Sequence, residues 1–212
     1  NHHVGHGCFV EVGPGFGTFT EEVVKTGFFK KSIVVEPSPK LAATCRGKNL
    51  NVIESVIENA EFQEKVDVVA TFEVVEHLFD PKIFIEGCRK VLNVGGLLCM
   101  TCPCIQGFDF LGAGREGAPL DHEHLNYFNP KSMSILLERC GFRVVTISTP
   151  GVLDVELVRS AALRGEISLE GQPFLKHILI EDWDENRGRR FQEFLSQNLL
   201  SGHMWAVGQK VN

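Results

Sequence analysis

Three glycines at alternate positions follow the first apolar strand of this chain, and a helical pattern begins directly after them. The predicted strand is Cys8–Val12, the glycines are Gly13, Gly15 and Gly17, and the predicted helix runs from Thr18 to Lys25. Glycine lets a backbone turn tightly and approach a ligand closely, and the amides of a helix N-terminus attract polar groups. The pattern therefore predicts a strand-turn-helix unit with a nucleotide-type ligand site at the turn. The alternative is an ordinary strand-to-helix turn.

The spacing of these glycines distinguishes between nucleotide ligands. A dinucleotide-binding turn has the pattern Gly-x-Gly-x-x-Gly, which would require glycine where the chain has Thr18. NAD is therefore disfavoured. The segment from Glu11 to Gly17 instead resembles motif I of the class I S-adenosylmethionine-dependent methyltransferases. The resemblance implies S-adenosyl-L-methionine as cofactor, with Glu11 near its cationic methionine end.

A second acidic residue, Glu36, stands at the end of the apolar run Ser32–Val35, about twenty residues after the glycine turn. A carboxylate in that position can accept hydrogen bonds from the two ribose hydroxyls of a nucleotide cofactor. A solvated carboxylate at a strand end is the alternative. Because the glycine turn lies in register with Glu36, we predict that Glu36 binds ribose.

A third segment runs from Val66 to Pro81 and reads as a strand, a loop and a helix that begins at proline. Its Asp-Val-Val strand and its Glu-Val-Val-Glu-His-Leu-Phe-Asp-Pro continuation resemble the segment that lines the cofactor cleft of class I small-molecule methyltransferases. The resemblance implies that Phe72, Glu73 and His77 contact the cofactor. It also places Ser55 and Val56, in the turn after the third strand, near the adenine ring.

The alternation of strand and helix patterns predicts an α/β fold with a parallel sheet. The resemblance implies a Rossmann-like, seven-stranded, mostly parallel sheet with helices on both faces and a last strand that returns antiparallel between the fifth and sixth. We expect a cofactor-binding core over residues 1–150, a helical insertion over 151–200 and a final core strand over 201–212. The pattern predicts these further elements: helices over 38–48, 81–93 and 130–140, strands over 96–102 and 142–148, and insertion helices with apolar stripes between 153 and 199 that face the core or a second copy rather than forming a substrate lid.

Composition narrows the partners. The formal net charge is −6, and no run of Lys or Arg exceeds two residues, so nucleic acid is not expected as a substrate. No apolar stretch approaches the roughly 20 residues of a membrane span, and we expect a cytoplasmic protein. The seven cysteines are odd in number and scattered, which indicates reduced core thiols. A homodimer or a place in a longer chain remains open.

Two histidines, His122 and His124, are the candidates for catalysis. They lie in a segment before a predicted helix that resembles the His-x-x-x-(Tyr/Phe) segment of bacterial small-molecule methyltransferases, in which His124 would be the matching residue. A histidine near its ordinary pKa can take the proton of an acceptor hydroxyl. The alternative is that these histidines cap the helix or bind the loop backbone. No metal ligand is assigned, although Asp121, His122, Glu123 and His124 together could hold a divalent ion.

These observations leave several functions open. The leading hypothesis is a methyltransferase acting on a small-molecule acceptor, most simply O-methylation of a hydroxylated metabolite or sugar. The alternatives are a cofactor-binding domain without independent activity, a C- or N-methyltransferase, and an NAD-dependent oxidoreductase.

Overall fold

The computed structural model describes residues 7–117 and 122–212, and only the backbone of residues 113–117. The described residues form one seven-stranded sheet in the order β3-β2-β1-β4-β5-β7-β6. The strands are β1 Cys8–Val12, β2 Lys31–Val35, β3 Asn51–Ile53, β4 Val66–Phe72, β5 Leu92–Pro103, β6 Phe142–Ser148 and β7 His203–Lys210. The helices are α1 Thr18–Thr26, α2 Pro39–Gly47, α3 Pro81–Val91, α4 Phe108–Gly117, α5 Pro130–Arg139, α6 Asp154–Leu163, α7 Pro173–Lys176 and α8 Glu185–Gln197.

The sheet is parallel from β3 through β5, and β7 runs antiparallel between β5 and β6. The predicted fold class is thereby confirmed. Chain order reverses between β1 and β4, because β2 and β3 lie on one side of β1 while β4 and β5 lie on the other. In open α/β sheets such a reversal leaves a crevice at the carboxyl ends of the strands. The segments singled out in the sequence all leave β1, β2, β3 and β4 at that edge.

Capping residues determine where the helices next to this edge begin. The side chain of Asp80 accepts a hydrogen bond from the amide of Ile83 at 3.0 Å and caps the helix. Pro81 is the first residue of α3, a position that favours proline. In α5 the side chains of Asn129 and Ser132 form a reciprocal capping box. These caps fix where the chain enters each helix after it leaves the site.

The largest apolar cluster lies along the sheet and joins the buried faces of α3 and α5 to β1, β4 and β5. All seven cysteines are free thiols, and six of them are buried, as the sequence predicted. A separate cluster is built from α4, α6, α8 and the segments between them, with Phe108, Val158, Leu179 and Leu195 among its buried members. The apolar stripes of the insertion therefore pack largely on one another and on α4.

Two elements differ from the sequence-based prediction. The sequence pattern predicted no helix between the strand over 96–102 and the helix over 130–140, but α4 occupies Phe108–Gly117, where the ring of Phe108 packs 5.1 Å from that of Phe191. Strand β5 begins at Leu92 rather than at Gly96, and an irregularity in its pairing with β4 absorbs the Asn93 to Gly95 segment. Among the residues that the structure describes, no helix is both long and apolar enough to cross a membrane.

Candidate functional site

The glycine turn has the left-handed backbone that its sequence predicts. Gly13, Gly15 and Gly17 have φ angles of +69°, +54° and +71°. A Cβ on Gly13 would lie 2.7 Å from Cγ2 of Val74, and one on Gly17 would lie 2.7 Å from Cδ1 of Leu50. A Cβ on Gly15 would meet nothing within 4 Å. Gly13 and Gly17 therefore allow close packing behind the turn, while Gly15 faces open space.

Glu11 lies behind this turn, inside the protein. It is only 3% exposed, and its Oε2 accepts hydrogen bonds from the backbone amide of Thr20, at 3.0 Å, and from the Thr20 hydroxyl. Burial raises the pKa of the Glu11 carboxyl, and the bonds from Thr20 oppose that shift. The acidic residue of the motif thus holds the first turn of α1 against β1.

Glu36 follows β2 at the same edge and is 4% exposed. Its Oε1 accepts the amide of Ser38 at 2.8 Å, which fixes the carboxylate beside the start of α2. The backbone amide of Glu36 bonds the carbonyl of Ile53 at 3.0 Å, so the turn after β3 lies next to it. In that turn the Ser55 hydroxyl donates to the carbonyl of Val56 at 3.0 Å, and the Val56 side chain is 42% exposed.

Phe72 and Glu73 stand where β4 ends. The Phe72 ring lies 4.6 Å from the ring of Phe19 on α1. Glu73 has a φ of +54°, a left-handed conformation that a side chain with a Cβ rarely adopts. Its Oε1 accepts the hydroxyl of Thr101 at 2.7 Å and lies 3.6 Å from Nδ1 of His203. Strained backbone of this kind is typical of ligand sites, and here partners on β5 and β7 hold it.

Glu76, His77 and His124 come together beside this loop. Glu76 is 1% exposed, yet neither of its carboxylate oxygens has a hydrogen-bond partner in the described residues. His77 Nε2 lies 3.9 Å from Glu76 Oε1, and the rings of His77 and His124 are 4.8 Å apart. Burial, with a smaller contribution from the nearby negative charge of Glu73, raises the pKa of Glu76 to about 7.

Backbone hydrogen bonds join the two loops that carry this cluster. The carbonyl of Glu76 accepts the amides of Leu125 and Asn126 at 2.8 and 2.9 Å. His77 Nδ1 lies 3.0 Å from the carbonyl of Glu123, which can only accept, so Nδ1 is the protonated nitrogen. The loop before α5 is thereby fixed against the loop after β4.

The predicted site residues lie at one edge of the sheet, with one distinction between the two histidines. His124 is partly buried in the cluster, whereas His122 is an exposed residue of the adjoining turn. Asp121, which belonged to the alternative metal quartet, lies outside the described residues.

Sequence reasoning did not assign roles to Glu76, Thr101 or His203. Glu76 belongs to the Glu-Val-Val-Glu-His motif, and its position directly before His77 was the available signal. Thr101 and His203 have no local signal, because only the pairing of β5 with β4 and β7 brings them to Glu73.

A family model described as a methyltransferase domain matches residues 4–147, which is more than half of the chain. This chain belongs to the S-adenosylmethionine-dependent methyltransferase family. S-adenosyl-L-methionine is the cofactor of that family, as the resemblance of the glycine motif implied, and the methyltransferase domain supplies the fold described above.

Named relatives match the methyltransferase domain over part of their length. A probable S-adenosylmethionine-dependent methyltransferase of Mycolicibacterium smegmatis is 38% identical over 121 residues, covering 57% of this chain and 44% of that protein. The mitochondrial ubiquinone biosynthesis O-methyltransferase of Dictyostelium discoideum is 33% identical over 108 residues, covering 43% of this chain and 34% of that protein. The matched regions thus span less than half of these relatives.

Solved structures share the fold at low identity. A SAM-dependent methyltransferase from Archaeoglobus fulgidus superposes with a TM-score of 0.63 at 21% identity, covering 99% of this chain and 88% of that one. The N-methyltransferase NodS from Bradyrhizobium japonicum, solved with S-adenosyl-L-homocysteine, gives 0.56 at 14% identity, covering 97% and 78%. At such identities the likeness extends to the fold of the methyltransferase domain alone.

Proposed function

We propose that this methyltransferase domain transfers the methyl group of S-adenosyl-L-methionine to a hydroxyl oxygen of a small molecule. The observation that carries the proposal is that three features lie at one edge of the sheet. They are the open glycine turn at Gly15, the buried carboxylates Glu11 and Glu36, and His124, whose Nδ1 has no hydrogen-bond partner among the described residues. The turn suits a nucleotide-type cofactor, and the histidine suits an acceptor.

The cofactor would lie across the carboxyl ends of β1, β2, β3 and β4. The open face of Gly15 leaves room for close approach to the backbone, and the amides of α1 point to the same place. Glu36 would accept the ribose hydroxyls, because Ser38 already fixes the orientation of its carboxylate. The exposed Val56 and its neighbour Ser55 would contact adenine.

The methionine end would lie over the loop after β4, near Phe72, Glu73 and His77. The carboxylate of Glu73 is partly exposed and held by Thr101, which suits a group that faces a cation. Glu11 would act from behind the turn. Its two bonds to Thr20 set the position of α1, and its buried charge adds a negative potential.

The acceptor side would be the loop before α5. His124 would take the hydroxyl proton while the acceptor oxygen attacks the methyl carbon in line, and the electrons of the carbon–sulfur bond pass to sulfur. The products are the methyl ether, neutral S-adenosylhomocysteine and a proton on the imidazole. His122, in the adjoining exposed turn, is the second candidate for this proton.

The relatives and the charge of the chain support a small-molecule acceptor. Several of the matched relatives are ubiquinone biosynthesis O-methyltransferases, which favours a hydroxylated metabolite as acceptor. The net charge of −6 argues against nucleic acid. The alternatives are C- or N-methylation, and a cofactor-binding domain that needs further segments of a longer chain or a second copy for activity.

Calorimetry with S-adenosylhomocysteine, S-adenosylmethionine and NAD tests the cofactor assignment. We expect the first two to bind and NAD to bind weakly or not at all. Glu36→Ala should weaken binding by about 10- to 100-fold, because hydrogen bonds to a charged group contribute roughly 1.5–3 kcal/mol. Glu61→Ala, which removes an exposed carboxylate, is the matched control. Binding of NAD alone, or equal effects of the two substitutions, would contradict the proposal.

A further inference from the structure

Glu76 presents a buried carboxylate without a hydrogen-bond partner. Its side chain is almost completely enclosed, at 1% exposure, and both oxygens lack a partner within the described residues. Buried polar groups are nearly always hydrogen-bonded, and an orphaned carboxylate costs stability unless it binds something. Two ionisable side chains of the described residues act on it: Glu73, a carboxylate of the same charge, and His77, whose Nε2 lies 3.9 Å from Glu76 Oε1.

Each of the two histidines beside Glu76 has a ring nitrogen that is available to bind a metal ion. Because Nδ1 of His77 donates to the carbonyl of Glu123, Nε2 is the nitrogen left to bind an ion, and it lies 3.9 Å from Glu76 Oε1. Nδ1 of His124 is buried and has no hydrogen-bond partner among the described residues. One ligand atom from each of Glu76, His77 and His124 lies within 4.8 Å of the other two.

From this geometry we infer that Glu76, His77 and His124 bind a divalent transition-metal ion that holds the acceptor oxygen during methyl transfer. The role in transfer rests on the function proposed above, whereas the ion site itself does not. The site differs from the quartet of residues 121–124 considered from the sequence, since it takes only His124 from that loop.

The donor set indicates the kind of ion. Two imidazole nitrogens and one carboxylate oxygen suit Zn²⁺, Mn²⁺, Fe²⁺ or Co²⁺, while Mg²⁺ and Ca²⁺ prefer oxygen ligands throughout. Three protein ligands leave coordination positions open for a substrate. The bond from His77 to the carbonyl of Glu123 is the kind of outer contact that orients a ligating imidazole.

An ion at this place would change the chemistry of the acceptor. It would lower the pKa of a coordinated hydroxyl, so that the oxygen loses its proton to water and attacks the methyl carbon as an oxyanion. The carbon–sulfur electron pair again goes to sulfur. With an ion bound, His124 would act as a ligand in place of the base role given to it under the proposed function, and water would take the hydroxyl proton.

Cobalt binding measures the site directly. The terminal His2, His3 and His6 should first be replaced by Ala, because histidine-rich segments bind cobalt on their own. In that background we expect one Co²⁺ per chain by visible absorption. Glu76→Gln and His124→Asn should each weaken the affinity for Co²⁺ by about tenfold or more, since changes around a metal site typically cost 10- to 100-fold in affinity. His177→Ala, at an exposed histidine of the insertion, should leave it unchanged.

Paramagnetic broadening covers the case in which a variant fails to fold. In the background chain with Glu76, His77 and His124 intact, Co²⁺ should broaden the imidazole NMR signals of His77 and His124 and leave that of His177 sharp. Absence of cobalt binding, or broadening confined to other histidines, would overturn the inference.

Calorimetry with S-adenosylhomocysteine on the same samples separates the two proposals. Cofactor binding without cobalt binding would exclude only the metal site. Cobalt binding without cofactor binding would exclude only the proposed function.

Discussion

The carboxylate of Glu11 and the first turn of α1 are joined through Thr20, whose amide and hydroxyl both donate to Glu11 Oε2. Thr20 is fully buried, so water cannot replace either bond. The acidic residue of the glycine motif is therefore a structural support for the turn as well as a charge behind it.

Removal of the Thr20 hydroxyl should weaken the fold and the turn together. Thr20→Val keeps the shape of the side chain but leaves the buried Glu11 carboxylate with one bond fewer. We expect a loss of about 1–3 kcal/mol in the free energy of unfolding, measured by urea denaturation. Thr20→Ser retains the hydroxyl and should lose only about 0.8 kcal/mol with its methyl group. A larger loss for the serine variant would show that packing, not the hydrogen bond, dominates.

Alanine at Gly13 and at Gly15 should have different consequences. Both positions have positive φ, which costs an alanine about 1–2 kcal/mol. At Gly13 the new methyl also meets Val74, which adds about 1–3 kcal/mol of overpacking. At Gly15 it meets no protein atom and projects into the proposed cofactor site. Urea denaturation and calorimetry with S-adenosylhomocysteine should therefore show Gly13→Ala as the less stable variant. Gly15→Ala should lose only the backbone contribution to stability but bind the cofactor weakly; unchanged binding there would contradict the placement.

Asp109 should make stability depend on pH. Burial and the nearby negative Asp154 raise the pKa of its carboxyl to about 6, and its Oδ1 has no hydrogen-bond partner in the described residues. The unfolded value is about 3.9, so the folded chain holds the proton more tightly. The free energy of unfolding should then fall as pH rises from about 4 to about 6, and stay lowered above that.

The variant Asp109→Asn removes this titration. We expect a higher melting temperature at neutral pH, with about 2–4 °C for each kcal/mol recovered, and a gain that shrinks toward about pH 4. Melting curves across that range, with the exposed Glu170→Gln as control, measure the effect. A gain that is independent of pH would point to a cause other than the carboxyl.

Replacement of His124 should separate binding from turnover. His124→Ala should retain S-adenosylhomocysteine binding by calorimetry, because His124 lies on the acceptor side. It should lose about 10²- to 10⁴-fold in turnover, measured as S-adenosylhomocysteine release with an acceptor found by screening hydroxylated metabolites. His177→Ala is the control, and equal turnover of the two variants would exclude His124 from the reaction.

Several strand ends, unlike the start of β5, could be predicted from sequence because apolar runs bounded by glycine or proline determine them locally. β1 and β6 begin and end where the pattern indicates, and Glu36 follows β2 as expected. Helix α4 could not be predicted, since Gly112, Gly114 and Gly117 give it a poor helical propensity. Its contacts with the insertion, such as Phe108 on Phe191, override that preference.

For the site, too, local sequence predicts some features, whereas others depend on contacts between residues far apart in the chain. The position of Glu73 at the end of β4 follows from the motif, but its bond to Thr101 depends on how β5 pairs with β4. The unpartnered state of Glu76 is a property of everything packed around it. Sequence patterns therefore locate the groups of a site, while their protonation and pairing require the assembled fold.

The position of β7 has a consequence for synthesis on the ribosome. Residues 203–210 fill the gap between β5 and β6, so β6 has no partner strand, and β5 has only β4, until this late segment has emerged. The part of the sheet from β3 to β5 can form first, with one edge of β5 and the whole of β6 unpaired in the meantime. Completion of the sheet thus waits for the segment that also brings His203 to Glu73.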